Sequence, residues 1–257
     1  MTYPSVHNVF KERMRAGEVL VGLWAGLGSS YAVEVVSGSG FDWILIDSEH
    51  SPSELENVLG QLQTIAAYPT SPVVRVPWND TVTIKRYLDI GAQSLLIPYV
   101  QTADEARAAV ANTRYPPDGV RGLALSTRAS RFGRLPGYAE LANDQVCVIV
   151  QIETPVALDN LEEIAAVDGI DGLFIGPSDL HAAMGHAGVT TDPEVVSLID
   201  GAIGRILRTG KAPGVFAPIE EQARRWLDLG AQVVAVGADI GILSRGSDNL
   251  LAKFRPG

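Results

Sequence analysis

The chain has little of several residue types, and each shortage excludes a class of protein. Its one cysteine, Cys147, lies in an apolar run without a flanking basic residue, which excludes an internal disulfide and predicts a buried, unreactive thiol. Lysine and arginine together number 20 against 30 aspartate and glutamate residues, and no basic stripe of the kind found in nucleic-acid-binding proteins is visible. No apolar run approaches the ~20 residues that a membrane-spanning helix needs. We therefore expect a cytoplasmic protein that binds neither nucleic acid nor a membrane.

What the sequence does contain is a regular alternation of short apolar runs with helix-like stretches. Eight runs are predicted as strands, at residues 20–23, 43–46, 73–76, 94–97, 146–152, 172–175, 212–215 and 233–236. Helices are predicted between most of them, at residues 51–65, 81–88, 103–112, 155–166, 193–209 and 220–229. This alternation indicates a parallel sheet with crossover helices, and ~250 residues is a usual length for one α/β barrel. We predict a single (β/α)8 barrel domain over residues 1–257, with a further helix near residues 6–14 and a long loop at 114–144.

Charged side chains follow directly where four of these apolar runs end. His50 follows the second predicted strand and Arg75 lies at the end of the third, while Glu153 and Asp179 follow the fifth and sixth. The carboxyl ends of the strands in a closed α/β barrel face one shared mouth, so these side chains are expected to converge. The set holds a base, a cation and two oxygen ligands. It suggests a metal-assisted enzyme that acts on a small anion.

Glu153 and Asp179 are the candidate metal ligands. Two carboxylates from adjacent strand ends can hold a hard divalent cation and leave positions for water and substrate, which suits Mg²⁺ or Mn²⁺. Acidic residues are also common at helix starts, and the spacing alone favours neither explanation. His181 and His186 follow closely and could extend the metal site, but we expect them on a helix surface.

His50 and Arg75 are the candidate catalytic groups. Histidine is the usual general base near neutral pH, although a hydrogen-bonded loop histidine is the alternative for His50. Arg75 has no obvious partner in the local sequence, so we expect it to meet a carboxylate or enolate of the substrate. A structural ion pair of Arg75 with Asp47 or Glu49 is the slightly less favoured alternative.

Together these groups fit chemistry through an enolate. A divalent ion would chelate a 2-oxo acid, Arg75 would meet the charge that develops on the keto oxygen, and His50 would move a proton. Aldol cleavage, decarboxylation and enolisation all fit this arrangement. A Schiff-base enzyme would instead need a lysine at a strand end. Lysine is scarce, and Lys211 precedes the seventh predicted strand, at the wrong end of the barrel.

The motifs at these strand ends resemble those of a known family, the HpcH/HpaI aldolases, which are metal-dependent class II pyruvate aldolases. The resemblance covers nearly the whole chain from about Val21 onward. Six motifs carry it: Ile46-Asp47-Ser48-Glu49-His50, Val74-Arg75-Val76-Pro77-Trp78-Asn79-Asp80, Tyr115-Pro116-Pro117, Gln151-Ile152-Glu153-Thr154, Phe174-Ile175-Gly176-Pro177-Ser178-Asp179-Leu180 and Ala235-Val236-Gly237.

The resemblance implies a phosphoenolpyruvate/pyruvate-type (β/α)8 TIM barrel that assembles as a hexamer. It implies reversible aldol cleavage of a 4-hydroxy-2-oxo acid to pyruvate and an aldehyde, through an enolate bound to Mg²⁺, Mn²⁺ or Co²⁺. The base of the family corresponds to His50 and its transition-state arginine to Arg75. Its metal ligands correspond to Glu153 and Asp179.

The resemblance also implies substrate contacts and a partner for the base. The substrate contacts are Gln151 and the segment Gly176, Pro177, Ser178 and Asp179, whose backbone N–H groups at a helix start can cradle an anion. The partner of His50 corresponds to Asp89. About nine helical residues at ~1.5 Å each would carry Asp89 roughly 13 Å from the mouth, so we expect a neighbouring subunit to supply it in a shared active site.

The segment 121–131 departs from the pattern of the family. It is about one residue shorter and lacks a second glycine, in a region that the resemblance places beside the variable end of the substrate, so the aldehyde preference stays open. Two alternative functions remain: a related carbon–carbon lyase, such as a CoA-thioester lyase or an oxaloacetate decarboxylase, or a non-catalytic barrel that serves as a binding module.

Overall fold

The computed structural model describes residues 6–255, which form a closed barrel of eight parallel strands. The strands are β1 Leu20–Ala25, β2 Trp43–Asp47, β3 Ser71–Arg75, β4 Ser94–Ile97, β5 Cys147–Ile152, β6 Gly172–Ile175, β7 Ala212–Phe216 and β8 Val233–Ala238. Each strand pairs in parallel with the next, and β1 closes the barrel by pairing with β8. The predicted (β/α)8 fold is confirmed, and all eight predicted strands are present.

Within the described residues, twelve helices accompany the barrel. They are α1 Val9–Arg15, α2 Ser30–Ser37, α3 Leu55–Ile65, α4 Thr81–Asp89, α5 Ala103–Thr113, α6 Tyr138–Gln145, α7 Pro155–Asp159, α8 Leu161–Ala165, α9 Pro177–Ala183, α10 Pro193–Arg208, α11 Glu220–Asp228 and α12 Asp239–Ala252.

The core has two layers because alternate residues of each strand face opposite sides of the barrel wall. The outer layer packs the strands against the surrounding helices, and the inner layer fills the barrel itself. Helix α1 contributes Phe10 and Met14 to this inner layer. Large rings fit inside because glycines face them: a Cβ atom at Gly214 would lie 2.4 Å from the ring of Phe174. The barrel interior is therefore a packed core without room for a ligand, and active sites in this fold lie at the mouth.

Several predicted boundaries are wrong, for local reasons. The helix predicted at 51–65 begins at Leu55, because the Ser51 hydroxyl donates to the Asp47 carbonyl and holds the preceding residues in a loop. The helix predicted at 155–166 is broken at Asn160, whose side-chain amide donates to the Gln101 carbonyl. The long loop predicted at 114–144 contains most of α6, and α2 and α12 were not predicted. For α9 only the start, at residues 176–179, was expected.

The last helix, α12, differs from the others because little of it is buried. Among its residues only Asp239 is buried, where it accepts hydrogen bonds from the backbone N–H groups of Gly26 and Leu27. Large apolar side chains along the rest are exposed: Ile240, Ile242, Leu243, Leu250 and Leu251. Within residues 6–255, neither α12 nor any other helix is both long and apolar enough to cross a membrane.

Candidate active site

A cavity of about 150 Å³ lies at the mouth of the barrel, where the carboxyl ends of the strands meet. Its lining residues are Trp24, His50, Arg75, Gln151, Phe174, Gly176, Pro177, Ser178, Asp179 and Phe216. Most of the residues predicted for the site are in this set. One side of the cavity is polar and charged, and the other is formed by three aromatic rings. Trp24 lies between the other two, with ring centroids 5.9 Å from Phe174 and 5.2 Å from Phe216.

Arg75 is held by two carboxylates. Its Nε and Nη2 donate to the two oxygens of Asp47 at 2.8 and 2.7 Å, and its Nη1 lies 2.8 Å from Oε2 of Glu49. The guanidinium also stacks on Trp24, 4.8 Å from the ring centroid. The ion pair that the sequence slightly disfavoured is therefore formed. Arg75 is buried but still lines the cavity, so the ion pair does not remove it from the site.

The pKa values of the two carboxyl groups that hold Arg75 are shifted in opposite directions. Burial favours the neutral acid in both. For Asp47, hydrogen bonds and charge from Arg75 outweigh burial and hold its pKa below the usual range. For Glu49, burial prevails over the charges of Arg75 and His50 and raises its pKa. The contact of Glu49 with Nη1 is close but lacks hydrogen-bond geometry, which fits the weaker influence of Arg75 there.

His50 lies at the open edge of the cavity. Its side chain is 67% exposed, and its Nε2 atom is 3.9 Å from Oε1 of Glu49. The backbone N–H groups of Glu49 and His50 both point to Oδ1 of Asp47, at 3.0 and 3.5 Å. The loop that carries His50 is thus tied to the barrel, while its ring stays accessible to a substrate.

Glu153 lies beneath the floor of the cavity and is nearly fully buried. Its Oε1 accepts a hydrogen bond from the Tyr99 backbone N–H at 2.8 Å, and its Oε2 accepts one from the Gln151 side-chain amide. Gly176 packs directly against it, because a Cβ atom there would lie 2.7 Å from Oε2. Burial, together with the negative charge of Asp179, raises the pKa of Glu153 to about 7.

Glu153 and Asp179 fit a divalent cation. Asp179 is in the first turn of α9, and its negative charge raises the pKa of Glu153. A bound divalent ion would remove this repulsion and favour the ionised form of Glu153. The side-chain oxygen of Gln151 is also buried without a hydrogen-bond partner beside them. The donor set of hard oxygens suits Mg²⁺ or Mn²⁺.

The two histidines after Asp179 do not extend this site. His181 was expected on a helix surface, and that prediction is wrong: it is fully buried, and its Nδ1 is 2.6 Å from the Pro177 carbonyl oxygen. His186 lies with Asp192 and Glu194, the one group of three possible metal-ligating residues that the described chain brings together. Asp192 in that group already caps α10, so its presence is explained by local structure.

Asp89 is the predicted site residue that the structure does not bring to the cavity. It is the last residue of α4, and its carboxylate accepts a hydrogen bond from Arg121 at 3.0 Å. The backbone of Ala129 donates to the Asp89 carbonyl, so segment 121–131 packs at this end of α4. The same segment lines a separate cavity of about 450 Å³ with Gln93, just before β4. Within one chain, neither Asp89 nor this segment borders the mouth.

Sequence reasoning missed the role of two residues. Asp47 was considered only as a neighbour of His50 or a partner of Arg75, yet it accepts hydrogen bonds from three different elements. Trp24 was not singled out, although it lies under the guanidinium of Arg75. The available signal was its position directly after the first predicted strand, which was predicted to end two residues too early.

Comparisons with known proteins identify the family of this chain. The HpcH/HpaI aldolase/citrate lyase family model matches residues 20–245. A pyruvate aldolase from Rhizobium etli is 55% identical over 247 residues, covering 96% of this chain and 97% of that protein. A 4-hydroxy-2-oxo-heptane-1,7-dioate aldolase from Salmonella paratyphi A is 56% identical over 248 residues, covering 96% and 94%. A solved structure of a family member from Burkholderia cenocepacia J2315 is similar with a TM-score of 0.93 at 41% identity, covering 96% of this chain and 99% of that one. The chain belongs to the HpcH/HpaI aldolase/citrate lyase family, as its motifs predicted.

Proposed function

We propose that this protein is a carbon–carbon lyase that reversibly cleaves a 4-hydroxy-2-oxo acid into pyruvate and an aldehyde, with a divalent metal ion as cofactor. The observation that carries the proposal is the composition of the mouth cavity. Arg75, His50 and Asp179 line it together, and Glu153 lies directly under its floor. The relatives named above as aldolases are similar over nearly the whole chain, which supports the same reaction type.

Glu153 and Asp179 are the residues that would hold the metal ion, either Mg²⁺ or Mn²⁺ and by the resemblance also Co²⁺. When bound, the ion supplies a Lewis acid for the carboxylate and keto oxygens of the 2-oxo acid. The protein contributes a buried carboxylate in Glu153 and an accessible one in Asp179. This difference leaves the outer side of the site open to substrate.

Arg75 would stabilise negative charge on the substrate, and His50 would transfer a proton. The guanidinium of Arg75 is already fixed by its carboxylate partners, so its free N–H groups can stabilise negative charge that grows on the substrate without reorganising. His50 has an exposed ring at the cavity edge, as a group that exchanges protons with a substrate or a water molecule requires. Gln151 and the start of α9, from Gly176 to Ser178, would orient the carboxylate end of the 2-oxo acid.

The other end of the substrate would meet the aromatic side of the cavity. Phe216 and Trp24 pack edge to face there. A lysine-dependent mechanism has no support, since Lys211 donates to the Ile170 carbonyl before β6, at the end of the barrel away from the mouth. Treatment with borohydride and pyruvate should therefore leave the enzyme active, because no imine forms.

We infer that the active form is a homo-oligomer, and the resemblance implies a hexamer. Two features support association: the exposed apolar side chains along α12, and the position of Asp89 and segment 121–131 away from the mouth of their own chain. Asp89 would reach His50 only in a neighbouring subunit. Light scattering coupled to size-exclusion chromatography measures the state, and a monomer at micromolar concentration would contradict this inference.

The direct test of the function is a retro-aldol screen. Purified protein is incubated with a panel of 4-hydroxy-2-oxo acids, including 4-hydroxy-2-oxoheptanedioate, and pyruvate is measured with lactate dehydrogenase. We expect pyruvate release with Mg²⁺ or Mn²⁺ and none after exhaustive EDTA treatment. An oxaloacetate arm, read as loss of carbon dioxide, and a test of binding to immobilised CoA check the related lyases. Failure to release pyruvate from any acid with any of the three metals would overturn the proposal.

A further inference from the structure

Asp47 collects hydrogen bonds from three separate parts of the mouth. It is the last residue of β2 and is only 3% exposed. Its Oδ1 accepts from Arg75 Nε at 2.8 Å and from the Glu49 backbone N–H at 3.0 Å. Its Oδ2 accepts from Arg75 Nη2 at 2.7 Å and from the Trp24 indole N–H at 3.2 Å. One carboxylate thus joins β1, β3 and the loop that carries His50.

The strands place Asp47 for this task. The register of the β2–β3 pair sets Asp47 directly beside Arg75 at the ends of both strands. Because side chains alternate across a strand, neighbours in register lie on the same face of the sheet. A carboxylate and a guanidinium in this position form two parallel hydrogen bonds, which fix both the position and the plane of the arginine.

This contact decides which N–H groups of Arg75 remain for a ligand. A guanidinium has five N–H groups, and Asp47 takes one on Nε and one on Nη2. Trp24 covers one face of the planar group, at 4.8 Å from the ring centroid. The N–H groups that Asp47 leaves are the second one on Nη2 and the two on Nη1, which lies 2.8 Å from Oε2 of Glu49 but makes no hydrogen bond to it. Rotation of the guanidinium would break both bonds to Asp47 at once.

We propose that Asp47 is a positioning residue for the lyase reaction: it fixes the guanidinium of Arg75 and the backbone of the His50 loop in one geometry. The inference rests on the proposed function, because it takes Arg75 and His50 as the reacting groups. Asp47 itself touches neither substrate nor metal in this account. It is absent from the cavity lining and acts through its neighbours.

The competing explanation is that Asp47 only neutralises a buried arginine. A second aspartate of the same kind provides the comparison. Asp171 is also buried and also bound to two cations, Arg15 at 2.8 Å and Lys11 at 3.3 Å. It lies just before β6, at the opposite end of the barrel from the mouth. Asp171→Asn is therefore a matched control that removes a buried charge without touching the cavity.

The experiment compares Asp47→Asn with Asp171→Asn in the full-length, metal-loaded protein. We expect Asp47→Asn to lower kcat by about 10²-fold, since a misplacement of about 1 Å can have that effect. Equilibrium binding separates positioning from metal loss. The affinity for Mn²⁺ should stay within about twofold of wild type, while the affinity of the Mn²⁺-loaded protein for oxalate, which mimics the shape and charge of the pyruvate enolate, should fall in parallel with kcat. Asp171→Asn should lower the melting temperature and leave both oxalate affinity and kcat unchanged.

A double-mutant cycle with Arg75→Ala tests whether Asp47 acts through Arg75. If it does, Asp47→Asn should reduce the residual kcat of Arg75→Ala by much less than the ~10²-fold loss expected in the wild-type background, because coupled residues are not additive. The remaining loss would report the effect of Asp47 on the His50 loop. Full additivity would overturn the proposal, as would a folded Asp47→Asn protein with normal kcat and oxalate affinity. Asp47→Glu serves if the asparagine variant does not fold. It keeps the charge but shifts the carboxylate, so the proposal expects the same losses, and wild-type activity or failure of both variants to fold would make Asp47 merely structural.

The outcomes also separate this inference from the proposed function. If the wild-type protein binds Mn²⁺ and oxalate but releases no pyruvate from any 4-hydroxy-2-oxo acid, the function fails, whereas the oxalate comparison still reports on how Asp47 positions Arg75. If the wild type is active and Asp47→Asn is too, the function stands and the positioning role is rejected.

Discussion

The barrel has a buried aspartate–cation cluster at each end, and the two do different things. At the mouth, Asp47 binds Arg75 in a bidentate pair, and the arginine also borders a cavity. At the opposite end, Asp171 binds Arg15 and Lys11, and its second oxygen accepts the Val148 backbone N–H at 3.0 Å. The cluster around Asp171 links α1 to the start of the strands. The cluster around Asp47 holds the guanidinium of Arg75, which still lines the mouth cavity.

The two clusters differ in how completely their charged groups are paired. Lys11 also donates to the Val146 carbonyl, so the cluster around Asp171 satisfies backbone groups where β5 begins. The mouth instead leaves Glu49 without a hydrogen bond to Oε2 and holds Glu153 with a raised pKa. Carboxyl groups with a raised pKa at the carboxyl ends of barrel strands are typical of a catalytic site, while fully paired charges at the other end are typical of structural support.

The largest expected effect comes from the carboxylates of the mouth. Glu153→Ala or Asp179→Ala should reduce aldol cleavage to the level of chelated wild-type enzyme, because these two carboxylates are the proposed ligands of the metal ion. Isothermal titration with Mn²⁺ should show that binding is lost in both variants. Glu194→Ala is the matched control, since Glu194 is also an acid in the first turn of a helix that begins with proline. Equal losses of activity and Mn²⁺ binding in Glu194→Ala, or full activity of Glu153→Ala or Asp179→Ala, would contradict the assignment of the metal site to the mouth.

The next effect contrasts the two arginines. Arg75→Ala should lower kcat about 10²- to 10³-fold, as removal of a donor to developing oxyanion charge does. Arg75→Lys should not restore it, because an ammonium group cannot make the planar bidentate pair with Asp47. Arg15→Ala should leave kcat unchanged and reduce the melting temperature. Steady-state kinetics and thermal unfolding of the three variants decide between these roles. A loss of kcat in Arg15→Ala would contradict a catalytic role for Arg75 and a purely structural one for Arg15.

A pH effect of intermediate size is expected from Glu153. In the metal-free protein its pKa is raised from 4.5 to about 7, so the folded state retains a proton that the unfolded state releases across this window. The free energy of unfolding should therefore fall as pH rises from 4.5 to 7, by about 3 kcal/mol. Urea unfolding at pH 5 and pH 8 in EDTA measures this change. The dependence should be much weaker in Glu153→Gln, and Mn²⁺ affinity should weaken below pH 7 because the ion competes with the proton.

The smallest effect tests whether the mouth is completed by a second chain. Inactive His50→Ala and Asp89→Ala proteins, dissociated and reassembled together, should form some sites in which both residues are intact. Activity should return in part. Subunit exchange that is confirmed by mass spectrometry without any recovery would rule out a shared site and leave Asp89 as the structural partner of Arg121.

The order of strands and the residues that follow them could be predicted because both depend on local sequence. Apolar runs such as residues 94–97 and 172–175 match β4 and β6 at both ends. His50, Arg75 and Asp179 could be assigned to one mouth because a barrel brings the carboxyl ends of all its strands to the same face. Their convergence on one cavity follows from the fold alone.

What the sequence could not predict depends on contacts between distant residues. The bond from Trp24 to Asp47 joins two strands through side chains, and periodicity contains no information about it. His181 is fully buried in α9, with its Nδ1 atom 2.6 Å from the Pro177 carbonyl oxygen, and its polar side chain does not suggest this burial. Helix α12 was not predicted, and its apolar side chains are exposed instead of forming a buried face.

Exchange of the pyruvate methyl protons in deuterated water tests the central claim most directly, since it reports proton transfer at the mouth without an aldehyde. Proton NMR should show metal-dependent exchange by the wild-type protein, unchanged in Asp171→Asn and strongly slowed in Arg75→Ala and His50→Ala. Exchange that persists after chelation, or that is the same in His50→Ala as in wild type, would contradict the assignment of the mouth cluster to catalysis.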